Sequence, residues 1–148
     1  MSIFAGSCHI SKDVQRVLAR CVDVPKGRFT LDYLEGISQL AGLRVTVAWG
    51  NSHPRRPTLI VLLQRSRGWA RIGYFRPCEA GLVLRLPWHE VDTQNGSNNL
   101  RRVPGRASFQ VSTQLESENT IAEAVCLTEQ AIRRLEVRNN DSGRTHVL

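Results

Sequence analysis

The apolar residues of this chain change their spacing twice. From Ser11 to Ala41 they recur every three or four residues, which is the spacing of amphipathic helices. From Arg44 to Thr113 they mostly alternate with polar residues, as in half-buried strands, and from Thr120 onward the helical spacing returns. Helices separated from strands along the chain favour an α+β fold over alternating α/β units.

Two helices near the N-terminus and one near the C-terminus are predicted. Their expected ranges are 11–22, 30–41 and 120–136. Ser11 is a favourable N-cap for the first helix, and Gly42 suits the left-handed position that often follows a helix. Thr120 and Glu123 have the spacing of a capping box at the start of the third.

The alternating segments predict a mainly antiparallel sheet of about five strands, with the C-terminal helix packed on one face. The strands are expected at 45–49, 58–64, 69–76, 82–88 and 107–113. Arg65 to Gly68 has the length and the terminal glycine of a hairpin connection. Because 148 residues is the size of one domain, we predict a single α+β domain over 1–138 and a polar, frayed tail over 139–148.

Alternation also assigns strand residues to the two faces of the sheet. The helix-covered face is expected to carry Val45, Val47, Trp49, Leu82, Leu84, Leu86, Trp88, Phe109 and Val111. The reverse face is expected to carry Arg44, Arg85, Ser108, Gln110 and Ser112. If Ile72 and Tyr74 face the core, Arg71 joins this reverse face between Trp69 and Phe75. A β-bulge would shift the assignment by one residue.

The charge of the chain is strongly positive and comes almost entirely from arginine. Twenty basic residues against 13 acidic ones give a formal net charge of +7, and the isoelectric point is about 10.1. Eighteen of the twenty are Arg, whose planar guanidinium binds phosphate with two hydrogen bonds and stacks on bases. A polyanionic partner is therefore favoured, although a GC-rich coding sequence also replaces Lys by Arg whatever the function.

Arginines interleaved with aromatic residues on an open sheet face predict a nucleic-acid-binding protein, because rings stack on bases and guanidinium groups hold phosphates. We expect RNA before DNA, with little sequence preference, and no cofactor. Basic loops at the hairpin and at 93–106 would extend the surface. The candidate binding residues are Arg44, Arg65, Arg67, Trp69, Arg71, Arg85, Arg101 and Arg102.

Two other functions are compatible with the same residues. A polar sheet face is also typical of a small protein-interaction module, such as an inhibitor, a chaperone or an adaptor, or of a homodimer. A metal-dependent nuclease is the third hypothesis, with His89, Glu90 and Asp92 close together and Glu35 as a distant helper.

No catalytic or metal-binding motif stands out, which favours a binding protein over an enzyme. The four cysteines, at 8, 21, 78 and 126, lack the paired spacing of a zinc site. Residues 1–10 lack the pattern of a secretory signal, and no apolar run reaches the ~18 residues of a membrane span. We therefore expect a cytoplasmic protein with no membrane partner.

Overall fold

The computed structural model of the chain describes residues 9–21, 24, 27–48, 57–77, 81–91, 100–105 and 107–146. It confirms the α+β class and the packing of the C-terminal helix on one face of an antiparallel sheet. The described helices are α1 (Lys12–Cys21), α2 (Gly27–Ile37) and α3 (Glu118–His146), with a short 3₁₀ helix at Trp88–Glu90.

Seven strands are described, where about five were predicted. They are β1 (His9–Ile10), β2 (Leu43–Ala48), β3 (Thr58–Arg65), β4 (Gly68–Phe75), β5 (Gly81–Leu84), β6 (Arg101–Arg102) and β7 (Val111–Gln114). Their order across the sheet is β1-β2-β3-β4-β5-β7-β6. β1 pairs with β2 in parallel, and the other neighbours are antiparallel. The two additional strands, β1 and β6, lie at the edges.

Of two local sequence signals, one acts as predicted and the other does so in part. Ser11 caps α1: its carbonyl accepts a hydrogen bond from the Gln15 N–H at 3.1 Å, and its Oγ accepts one from the Val14 N–H at 3.4 Å. Gly42 has a φ of 78° and brings the chain from α2 into β2 through a left-handed backbone conformation. α2 itself begins earlier than predicted, at Gly27, and ends at Ile37.

The third helix begins with a capping box one turn before the predicted one. Ser117 Oγ accepts a hydrogen bond from the Thr120 N–H at 3.3 Å, and Thr120 Oγ1 accepts one from the Ser117 N–H at 2.9 Å. Thr120 is therefore the third residue of the helix and not its cap. The backbone stays helical to His146, past residue 139 where the sequence suggested a frayed tail. The division of the chain at 138 stays a prediction.

The core lies between the sheet and the three helices. Tyr33 of α2 packs edge-on against Phe75 of β4, with ring centroids 5.5 Å apart. The Tyr33 hydroxyl also hydrogen-bonds Thr128 Oγ1 of α3 at 2.7 Å, and the Thr128 hydroxyl donates to the Ala124 carbonyl at 2.8 Å. The paired hydroxyls join α2 to α3 and offset the cost of burying polar groups, while the Tyr33 ring joins α2 to the sheet.

A close contact between α2 and α3 gives a test of this packing. A β-carbon at Gly36 would lie 2.6 Å from Val125 Cγ2. Replacing Gly by Ala inside a helix ordinarily stabilises it by roughly 0.5–1 kcal/mol, whereas overpacking costs roughly 1–3 kcal/mol. We expect Gly36→Ala to lower the free energy of unfolding in the parent and to raise it, or leave it unchanged, in a Val125→Ala background.

Denaturant unfolding of the parent, both single variants and the double variant measures this coupling. A Gly36→Ala effect of the same sign and size in both backgrounds would show that α2 and α3 do not meet at this point.

Candidate functional site

The candidate site is the open face, by which we mean the face of the sheet opposite the three helices. Strand register identifies the residues on it. Arg44 pairs with Leu62, and Leu62 pairs with Arg71. A second row crosses six strands through Thr46, Ile60, Tyr74, Val83, Ser112 and Arg101. The structure thus brings Arg44 and Arg71 to one face, on either side of a leucine.

Arg44 is stacked on Trp69. Its guanidinium carbon lies 5.7 Å from the centroid of the indole ring, within the range of a cation–π contact. The Arg44 Nε is buried and has no hydrogen-bond partner among the described residues. Trp69 is 43% exposed, unusually high for so large an apolar residue. An exposed ring positioned by a cation is able to stack on a planar ligand.

A β-bulge in β4 sets which residues join Arg71 on the open face. Val61 pairs with Gly73 but the next residue, Leu62, pairs with Arg71, so Ile72 is an extra residue in the ladder. Ile72 is buried in the core. Its carbonyl accepts a hydrogen bond from the Arg85 N–H at 2.8 Å. The bulge reverses the alternation for the rest of the strand.

Three aromatic assignments from the sequence are wrong, two of them because of this bulge. Phe75, expected beside Arg71, is 2% exposed in the core. Tyr74, expected in the core, lies half-buried on the open face in register with Ile60. Phe109, expected beneath the helices, packs on Tyr74 with ring centroids 5.6 Å apart. It precedes β7, so strand alternation does not govern it. Gly73 was the available signal, since a glycine inside a strand often marks a bulge.

Arg85 follows β5 directly and is half-buried. Its neighbours Leu84 and Leu86 are both fully buried in the core, but the Leu86 N–H donates a hydrogen bond to the Leu84 carbonyl at 2.9 Å, so a tight turn interrupts the extended backbone at Arg85. The expected position of Arg85 on the open face stays a prediction. Gln110 and Ser112 were expected on the same face. Ser112 lies in the second row, whereas the Gln110 side chain accepts a hydrogen bond from the Trp88 N–H at 3.0 Å.

The remaining arginines occupy the hairpin tip and the far edge of the sheet. Arg65 pairs with Gly68 and, by alternation from the buried Leu63, belongs to the helix side; Arg67 is exposed in the turn. Arg101 and Arg102 were expected in a loop, but they form edge strand β6. Arg101 pairs with Ser112 on the open face, whereas Arg102 pairs with Val111 on the opposite one.

Basic and acidic residues are segregated between the layers. The three helices carry eight basic and eight acidic residues. The described strands carry five arginines and no acidic residue. Each described ion pair has its arginine on a helix, and neither Arg44 nor Arg71 has an acidic partner in the described part of the chain. The excess positive charge therefore belongs chiefly to the sheet and the loops.

The residues of the nuclease hypothesis are not assembled by the described part of the structure. Glu90 Oε2 lies 2.6 Å from Nε of Arg134, and the Glu90 carbonyl accepts a hydrogen bond from Gln130 at 3.0 Å. These contacts fasten the 3₁₀ helix to α3. Asp92 lies outside the described residues. Within them, no three potential ligands among His, Cys, Asp and Glu come together as a metal site.

Comparison with protein families, with curated proteins and with solved structures finds no match to this chain. Among the described residues, none of the helices combines the length and the apolar character needed to cross a membrane.

The bulge predicts contrasting effects of two substitutions in β4. Simple alternation puts Trp69 and Phe75 on the same face, so it predicts similar costs for replacing either. We expect Phe75→Ala to lower the free energy of unfolding by roughly 3–5 kcal/mol, because it empties a buried site. We expect Trp69→Ala to cost clearly less, because 43% of its surface is already exposed to solvent, so less buried apolar area is lost.

Denaturant midpoints of the two purified variants provide the measurement. Equal losses of stability would mean that the bulge is absent and that both rings share one face.

Proposed function

We propose that the protein binds single-stranded nucleic acid, RNA in preference to DNA, across the open face. The observation that carries the proposal is the composition of this face. Arg44, Arg71 and Arg101 lie on it with Trp69 and Tyr74, and no acidic residue occupies any described strand. Rings that stack on bases, combined with unpaired cations, are the usual means of binding single strands with little sequence preference.

A single strand fits this surface better than a duplex. Trp69 is exposed and Tyr74 half-buried, so both rings can reach only bases that are unstacked and turned outward. A duplex keeps its bases inside the helix and would offer the face only its phosphates. The surface is also wide: five strand spacings separate β2 from β6, which is roughly 24 Å at about 4.8 Å per strand. Arg44 and Arg101 can therefore hold different phosphates of one strand.

The strongest test removes positive charge from one layer or the other. Arg44→Ala/Arg71→Ala takes two arginines from the open face. Arg16→Ala/Arg28→Ala takes two from α1 and α2, where their side chains are 80% and 84% exposed. Both variants lower the net charge equally, so a general charge effect would weaken binding equally.

We expect the open-face variant to bind a labelled single strand of roughly 10 nucleotides at least tenfold more weakly at fixed salt. The slope of log K against log salt should become shallower by about 1.4, because each phosphate that an arginine no longer neutralises reduces it by ~0.7. The helix variant should keep both the affinity and the slope of the parent. Fluorescence anisotropy at several salt concentrations measures all three proteins.

Thermal unfolding of each variant serves as the folding control, and Arg71→Ala alone is a second variant because Arg71 is exposed. Failure of the folded parent, free of copurified polyanion, to bind any strand near physiological salt would overturn the proposal. Equal weakening in both double variants would also overturn it, because it would show a general effect of charge and not a site on the open face. Parent-like binding by the open-face variant would overturn it too and would favour a protein partner docking on the sheet.

A further inference from the structure

The open face contains a depression large enough for a small ligand. Its volume is about 410 Å³, within the roughly 300–1,000 Å³ range of small-molecule sites. It is lined by Ala48, Thr58, Ile60, Arg71, Tyr74 and Phe109. Five of these six residues are uncharged, and the sixth is a cation. None of the six is acidic.

The lining of the depression combines two aromatic rings with aliphatic side chains. The Tyr74 and Phe109 rings are inclined at 49° to each other, with centroids 5.6 Å apart. This inclination leaves the two ring faces unmatched, unlike a stacked pair. Ile60 is only 8% exposed although it lies on the open face. Arg71 is exposed and carries the only charge among the described residues of the lining.

From this arrangement we propose that the depression binds one nucleotide unit. The base lies against the Tyr74 and Phe109 rings, and the phosphate attached to its sugar is held by Arg71. This inference deepens the proposed function and rests on it, since it names the part of the strand that enters the surface. The shared chemistry is an aromatic base joined to a phosphate, so the ligand is either a nucleotide within a strand or a free nucleotide.

The aromatic rings and Arg71 contact different parts of the proposed nucleotide, its base and its phosphate. The experiment tests these two parts separately. Adenosine monophosphate carries both halves, adenosine lacks the phosphate, and ribose 5-phosphate lacks the base. Titrations followed by NMR shifts of the Tyr74 and Phe109 ring protons report binding at the depression even when affinity is weak. We expect the complete nucleotide to bind roughly tenfold more tightly than either half, on the scale of one stacked base.

Each half should depend on a different residue. Phe109→Leu keeps an apolar side chain but removes the ring, so it should abolish the advantage of the nucleotide over ribose 5-phosphate. Arg71→Ala should abolish its advantage over adenosine. Phe29→Leu and Arg28→Ala, both on α2, are matched controls that should leave all three affinities unchanged. Equal binding of nucleotide and ribose 5-phosphate, or unaltered nucleotide binding by Phe109→Leu, would overturn the inference.

A second arm distinguishes the two sources of the ligand and separates this inference from the proposed function. It compares a short single strand with the same strand carrying abasic positions throughout. Tighter binding of the normal strand, abolished in Phe109→Leu, supports a nucleotide held within a strand. Salt-dependent binding that is identical for both strands overturns the inference and leaves the proposed function standing. Nucleotide binding without strand binding overturns the proposed function and assigns the depression to a free nucleotide.

Discussion

The bulge at Ile72 determines which side chains β4 presents to each side of the sheet. β4 is the middle strand of the seven described, so its pattern reaches its neighbours on both sides. Gly73 pairs with Leu84, and a β-carbon on Gly73 would lie 2.9 Å from Leu84 Cδ2. Leu84 therefore fills the space that a side chain at 73 would need. With Ile72 as the additional inward residue, Phe75 reaches Tyr33 in the core.

The same bulge turns Arg71 and Tyr74 outward together, although they are an odd number of positions apart along the strand. A regular strand would have placed one of the two in the core. The positions of Tyr74 and of the cation Arg71 in the depression therefore both depend on one extra residue. Bulges are common where a sheet must direct a side chain toward a site, and here the directed residues are those that the proposed function uses.

The distribution of charge also distinguishes the open face of the sheet from the helices. The helices balance their charges, and exposed pairs such as Arg28–Asp32, at 3.9 Å, contribute little to stability. Arg44 and Arg71 have no such partner in the described residues, so their charge remains available to a ligand. A net charge of +7 alone would indicate only a polyanion. The concentration of the positive charge on the sheet and loops is the observation that indicates the open face as the binding surface.

The sequence predicted the structure correctly where a local signal, such as the spacing of apolar residues or a capping residue, determines it. The spacing of apolar residues identified the three described α-helices and the five longer strands, Ser11 marked the start of α1, and Gly42 adopts the left-handed conformation expected of it, although α2 ends earlier, at Ile37. Arg44, Trp69 and Arg71 were placed correctly because they precede the bulge or lie on unbulged strands. Tyr74, Phe75 and Phe109 were misplaced because a bulge and an irregular segment break the alternation. The edge strands β1 and β6 have two residues each, too few to show any period.

The central claim is that a single strand lies on the open face, and NMR mapping with isotope-labelled protein tests it most directly. On titration with a short single-stranded oligonucleotide, the largest amide shifts should fall on Thr46, Ile60, Tyr74, Val83 and Ser112, together with the Trp69 indole N–H. The amides of α1 and α2 should stay unchanged. Shifts concentrated on the helices or at the hairpin tip, with the row through Tyr74 unmoved, would contradict the account.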